Sequence, residues 1–191
     1  MKQLEALPQL NIAVGIAALA APALHSLTDL MEWLVGGFST TQLWINYIAF
    51  LPMPWLLLGI YAVHLRRPNV VGLIGALLYG VAFTYFAFTT LYALAEQVPT
   101  YEALWSRLGG VYTVHGAFMV FGGLMFAWSV WRAGWLPKWA LLLFAAGLVW
   151  NLVLALLPAP DILQTIGSTA RNLGLMGMGY AVLFARGRTA A

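Results

Sequence analysis

VVGLIGALLYGVAFTYFAFTTLYALAE, residues 70–96, decides the fold class. Its first charged residue is its last, Glu96. A helix rises about 1.5 Å per residue, so a run of this length crosses a hydrocarbon core about 30 Å thick. The run is continuous and lacks the ten-residue alternation of a barrel strand, which leaves a membrane helix. Five more such runs flank it, over residues 10–35, 42–64, 108–131, 137–157 and 163–184. The 191-residue chain is 62% hydrophobic and only 8% charged, against about 25% charged in soluble domains. The reading is therefore all-α: a polytopic membrane protein, one bundle of six transmembrane helices with short loops and no soluble domain. Membrane lipid is the expected surrounding. Brevity and composition suggest the inner membrane of a bacterium.

Several functions are excluded early. The chain has no cysteine, which removes disulfides, thiolate metal sites and cysteine nucleophiles. Its net charge of +3 comes from basic residues clustered at helix ends, so no nucleic-acid partner is expected. No phosphate loop, Ser-x-Gly elbow or H-E-x-x-H is present. The segment NIAVGIAALAAPAL (11–24) has the look of a signal-peptide core, but its apolar pattern continues to Phe38 and only Lys2 is basic before it. It reads as a retained first membrane helix.

Orientation follows from lysine and arginine in the loops. Lys2, Arg66, Arg67, Arg132, Lys138, Arg186 and Arg188 all fall on one side of a six-span layout. The other side has Arg107 with Glu96, Glu102 and Asp161. Both termini are expected to be cytoplasmic. Trp33, Trp44, Trp105, Trp131, Trp135 and Trp139 sit near span ends, as interfacial tryptophans do. EQVPTYEALWSRLGG (96–110) is long enough to hold a short interfacial helix. Pro52 and Pro54 fall mid-span and predict a kink, because proline removes backbone donors. The glycines, including Gly72, Gly75, Gly109, Gly116, Gly122, Gly123, Gly174 and Gly177, read as close helix contacts, with a homo-oligomer through such faces as one use.

The polar residues carry the functional reading. His25, Asp29 and Glu32 in HSLTDLMEW (25–33) share one helix face at i, i+4 and i+7. At similar depth on other spans lie Asn46, Tyr85, Tyr92, Tyr112, His115, Asn151, Arg171 and Asn172. All sit in the outer half of the expected bilayer; His64 stands apart at the cytoplasmic edge. The pattern predicts a polar pocket between helices, opening outward over an apolar floor. A charge at mid-membrane costs about 2.5–3.5 kcal/mol on insertion scales. Asp29 and Arg171 are therefore expected to pair, with Asn172 and Asn151 completing their hydrogen bonds.

In this reading His25, Asp29, His115 and Arg171 are the reactive set: the histidines transfer protons, Asp29 orients His25, and Arg171 binds an anionic head or polarises an oxygen. Asn46, Tyr85, Tyr92, Tyr112, Asn151 and Asn172 would line the ligand. Two cofactor readings stand beside it. A divalent metal would use His25, Asp29 and His115. A haem would use His25 and His115 as axial ligands. The His-x3-acid of His25 and Asp29, followed by Gln42, Leu43, Trp44 and Tyr47, resembles the sterol-isomerase group of EXPERA-domain proteins, where a histidine and carboxylates move a proton on a buried lipid-like substrate. The resemblance covers under a fifth of the chain, has Asp where that family has Glu, and sits in a longer bundle; the activity is not carried over. The expected function is binding or acid–base conversion of a small apolar or lipid-like molecule, as by an intramembrane isomerase, cyclase or hydrolase. A proton-coupled transporter and a structural accessory subunit are the competing classes.

Overall fold

The computed structural model describes residues 8–63, 69–157 and 160–184. All regular secondary structure among them is helical: α1 (Pro8–Val35), α2 (Thr40–Phe50), α3 (Met53–Val63), α4 (Val70–Ala95), α5 (Tyr101–Ala133), α6 (Lys138–Ala155) and α7 (Asp161–Phe184). α2 and α3 are two parts of one rod, interrupted at Leu51–Pro52. Among the described residues five rods are long and apolar enough to cross a membrane: Gln9–Val35, Thr40–Val63, Val70–Ala95, Tyr101–Ala133 and Lys138–Ala155. α7 has the length, but Ser168, Arg171, Asn172 and its glycines make it too polar to meet that hydropathy. The outer surface is what a bilayer would cover. Trp55, Val70, Leu34, Phe121, Trp128 and Trp139 are each more than half exposed. A soluble monomer rarely exposes so much contiguous apolar surface.

Local signals place the helix ends. Ser39 Oγ accepts from Gln42 N at the start of α2, Asn69 Oδ1 from Val71 N and Gly72 N at α4, and Thr100 Oγ1 from Ala103 N at α5. Each satisfies donors that the first helical turn leaves open. α1 stops at Gly36 (φ 75°), whose N–H and that of Gly37 both return to Glu32 O; a left-handed residue here favours glycine.

The six rods form a closed ring. Neighbours in the chain pack side by side, and α7 closes against both α6 and α1. α1 and α7 run antiparallel in a register fixed by Asn172 Nδ2, which donates to Ser26 Oγ at 3.0 Å, and by Ser168 Oγ, which donates to Asp29 Oδ2. α4 and α5 touch through Gly75 and Gly122, where a Cβ would lie 2.6 Å and 2.7 Å from the other's carbonyl oxygen. At Gly147 a Cβ would overlap the Arg171 backbone, so α6 and α7 also meet without side chains between them. These glycines serve contacts within one chain, whereas a Cβ at Gly109 or Gly116 would meet nothing within 4 Å, so those two are not close helix contacts.

The break at Pro52 organises the interior. Pro52 and Pro54 cannot donate to the preceding turn, and Trp55 N returns instead to Pro52 O at 3.1 Å. Beyond the break, α3 packs on α7 as well as on α1 and α4; α2 packs chiefly on α1 and α4. The end of the ring holding α3 is thus filled. Leu57, Ile60, Tyr79, Phe126, Phe144, Leu175 and Met178 are there fully buried. The end bounded by α2 and the connections after α1, α4 and α6 is not filled, and it is called the open end below. The first eight residues of α5 cross it. Their helix leaves the rod at Gly109, whose φ of 54° and ψ of −133° are not helical. A short helix is thus present in EQVPTYEALWSRLGG, as expected, joined directly to the rod that follows. His64, Lys2, Arg66, Arg67, Arg186 and Arg188 lie outside the described residues.

Candidate functional site

A cavity of about 420 Å³ occupies the open end of the ring. Its polar wall is built by α1, α2, α6 and α7, which contribute His25, Asp29, Asn46, Asn151, Ser168 and Arg171. Its apolar wall includes Phe50, Phe83, Phe86, Met119 and Val120. Tyr101, Glu102 and Trp105 of the crossing segment line it from the open side, together with Glu32 and Trp33. The volume is within the range of about 300–1,000 Å³ typical of small-molecule sites.

His25 is the best defined of these groups. It is 8% exposed. Its Nδ1 lies 3.1 Å from Asn46 Oδ1 and 3.5 Å from Asp29 Oδ1. Asn46 Oδ1 also lies 3.1 Å from Thr28 Oγ1, whose hydroxyl is shared with His25 O at 2.8 Å. A proton on Nδ1 satisfies both oxygens, and that tautomer leaves Nε2 for another partner. Phe50 meets the imidazole edge-on at 4.7 Å and holds its plane. The carboxylate of Asp29 is shared between His25 and the Ser168 hydroxyl. The spacing 25–29 is one helical turn, which is why sequence alone could place this pair.

Arg171 is where expectation and structure part. It is 4% exposed and lines the cavity, but it does not reach Asp29 within 4.0 Å. Asp29 stands one turn away along the α1–α7 register, level with Ser168, and Ser168 takes the place the arginine was expected to fill. The guanidinium makes long contacts to Asn172 Oδ1 at 3.4 and 3.5 Å and one to Met119 Sδ at 3.2 Å. It also lies 5.8 Å from the centre of the Phe83 ring. Asn172 does not line the cavity; it is fully buried between α7 and α1, bonded to Ser26. Asn151 does line it and donates to Gln164 O and Oε1, while its own Oδ1 is buried without a partner.

His115 also falls elsewhere. Its Nδ1 bonds to Val111 O at 2.8 Å, one turn back on its own helix, and its ring stacks on Tyr85 at 3.8 Å. Neither His115 nor Tyr85 is among the cavity residues. The two histidines therefore do not face each other across the cavity, as a haem held between them would need. Among the described residues no three His, Asp or Glu side chains come together to hold a metal ion. The metal set of His25, Asp29 and His115 is not assembled. Tyr92 packs instead in a small cluster with Leu43, Ala93, Val98 and Leu104 beside the loop. Tyr112 and Asn46 do line the cavity.

Sequence reading missed Ser168, Thr28 and Gln164. Serine and threonine are cheap in membrane helices and usually bond their own backbone, as Thr28 does to His25 O at 2.8 Å. Ser168 had one legible sign, since it shares the Arg171 face at i, i+3. No family model matches the chain, and neither a curated protein nor a solved structure matches it.

Proposed function

We propose that the chain is a six-span integral membrane protein, with α7 as its sixth span, that binds and converts a small molecule with an apolar body in the cavity at the open end. His25 is the proton-transferring group and Asp29 holds it. The observation that carries this reading is the commitment of His25 Nδ1 to Asn46 and Asp29, which leaves Nε2 to act on whatever the cavity holds. A histidine so oriented, with a carboxylate to stabilise its charged form, is the usual arrangement of a general base. Polarity of α7 supports its place as a span: its polar residues face α1 and the cavity, not the outside. Arg132 and Lys138 at one end, against Glu96 and Glu102 at the other, support cytoplasmic termini. The inner membrane of a bacterium remains the compartment proposed.

The test uses the protein purified in mild detergent. Molecules that co-purify are extracted and identified by mass spectrometry from the wild type and from Gly116→Phe. A Cβ at Gly116, which lines the cavity, would meet no atom within 4 Å, so the ring can enter the cavity without disturbing the fold. A species held by the wild type and lost from Gly116→Phe is expected. Incubation in heavy water should then place deuterium on a carbon of that species, and His25→Ala should stop it. Identical extracts from both proteins sink the pocket reading.

A second reading, a proton-coupled transporter, draws on the same His25–Asp29 pair, since paired titratable groups inside a membrane bundle serve proton-linked switches. It predicts flux driven by a pH gradient in proteoliposomes, abolished in Asp29→Asn, without deuterium incorporation.

A further inference from the structure

Arg171 is a buried cation whose expected carboxylate is engaged elsewhere. A guanidinium has five donors in a planar fork. Here one meets a thioether sulfur, a weak acceptor, and two reach the same Asn172 oxygen at 3.4 Å or more. Asp29 is shared between His25 and Ser168 and stands one turn nearer the open end. Removing a charge from water without a partner costs several kcal/mol. The fold nonetheless keeps Arg171 at 4% exposure on a cavity wall. Its backbone is held there rigidly, because α6 approaches at Gly147 with no side chain between.

The position of this cation decides what it meets. The register of α1 against α7 sets Asn172 level with Ser26 and Ser168 level with Asp29, so Arg171 stands level with Ser26 and Leu27, between His25 and Asp29 and deeper than Asp29. Below it the ring is filled; Leu175 and Met178, one and two turns further along α7, are fully buried. Arg171 therefore forms a charged end of a cavity whose apolar wall includes the edge-to-face series Phe50, Phe83 and Phe86. The acids Glu32 and Glu102 lie at the opposite, open side. They disfavour a small hydrated anion, which has no apolar burial to offset their repulsion.

We infer that the ligand of this cavity is a monocarboxylate with an apolar body, its carboxylate received by the Arg171 guanidinium and its body lying against Phe50, Phe83 and Phe86. A carboxylate supplies the missing countercharge and matches the planar fork of donors with two oxygens. This rests on the pocket proposed above and adds the chemistry of the ligand.

The probes are isotope-labelled decanoate, methyl decanoate and decylamine. Their binding to the full-length protein in detergent is measured by scintillation proximity, with Gly116→Phe as the control for partition into micelles. Decanoate is expected to bind about tenfold or more tightly than its methyl ester, the difference a charge-assisted pair supplies. Arg171→Met should erase that preference while still binding the ester, and its melting temperature shows whether it folds. Arg171→Lys, which keeps the charge and loses the fork, should retain part of the preference and serves where Arg171→Met fails to fold. Equal binding of acid and ester, or tighter binding of the amine, overturns the carboxylate assignment and leaves the pocket standing. Failure of all three probes to bind above the Gly116→Phe level overturns both.

Discussion

The two ends of this ring are made of similar rods and hold opposite interiors. At the end containing α3, side chains from all six rods pack into one core and leave it filled, with Leu57, Phe126, Phe144 and Met178 fully buried. At the open end the same rods enclose about 420 Å³ and direct His25, Asp29 and Arg171 into it. The difference begins at Leu51–Pro52. The helical half beyond the break reaches α7, and the half before it stays with α1 and α4. One interruption therefore separates a packed, apolar region from one where polar groups can be enclosed at all. In a membrane the packed region is held by close contact, since lipid tails are as apolar as the core. The open region is held by a few hydrogen bonds between helices.

The largest expected effect tests the packing side of this contrast. Phe144 is fully buried and touches Tyr79 at 5.8 Å between ring centres. Phe144→Ala should lower stability by about 3–5 kcal/mol, the usual cost of deleting a buried aromatic ring. Phe86 lines the cavity, so Phe86→Ala enlarges space that already exists and should cost under about 2 kcal/mol. Unfolding in graded denaturing detergent measures both. Equal losses would mean that the open end is as tightly packed as the other.

The second contrast uses glycines and reverses sign. At Gly147 a Cβ would overlap the backbone of Arg171, so Gly147→Ala must push α6 from α7 and should cost about 1–3 kcal/mol. At Gly116 the added methyl meets nothing within 4 Å. Gly116→Ala should be neutral or stabilise by up to about 1 kcal/mol, because alanine is the better helix former. Thermal melting in one detergent compares them directly. A stable Gly147→Ala would show that the α6–α7 contact is looser than its geometry.

These ends differed equally in how much of them the sequence disclosed. The rods were legible because apolar length is a local property: residues 70–96 and 163–184 can be read without knowing their neighbours. The Pro52 kink was also local, written in proline; the break at Gly109 was not, since that glycine reads in sequence as a helix contact. The His25–Asp29 pair was legible for the same reason, lying one turn apart on one helix. Contacts between helices were not. Arg171 and Asp29 have compatible depths in the sequence, but span boundaries do not resolve a single turn, and one turn separates Ser168 from Arg171. His115 had the wrong azimuth; its ring turns to Tyr85, away from the cavity that Tyr112 and Gly116 of the same helix line. Asn172 failed similarly, facing α1 beside its arginine neighbour. Rotation about a helix axis is set by packing partners, and Gly75, Gly122 and Gly147 set it here through backbone contacts that no hydropathy pattern encodes.

The last test isolates the hydrogen bond that replaced the anticipated ion pair. Ser168→Ala removes the donor to Asp29 Oδ2 and changes little else, since the residue is buried and alanine fits its place. The loss should be about 1.5–3 kcal/mol, the range for a hydrogen bond to a charged group. Its lower end is favoured because His25 still faces the other carboxylate oxygen at 3.5 Å. If Asp29 instead swings to Arg171 when Ser168 is gone, the variant recovers stability by forming a buried ion pair. In that case Arg171→Met should cost more in the Ser168→Ala background than alone, and a double-mutant cycle reads the excess. A zero coupling would mean that Asp29 keeps its place without the serine. The helix register, fixed independently by Asn172 and Ser26, would then be enough to hold the carboxylate one turn from the arginine.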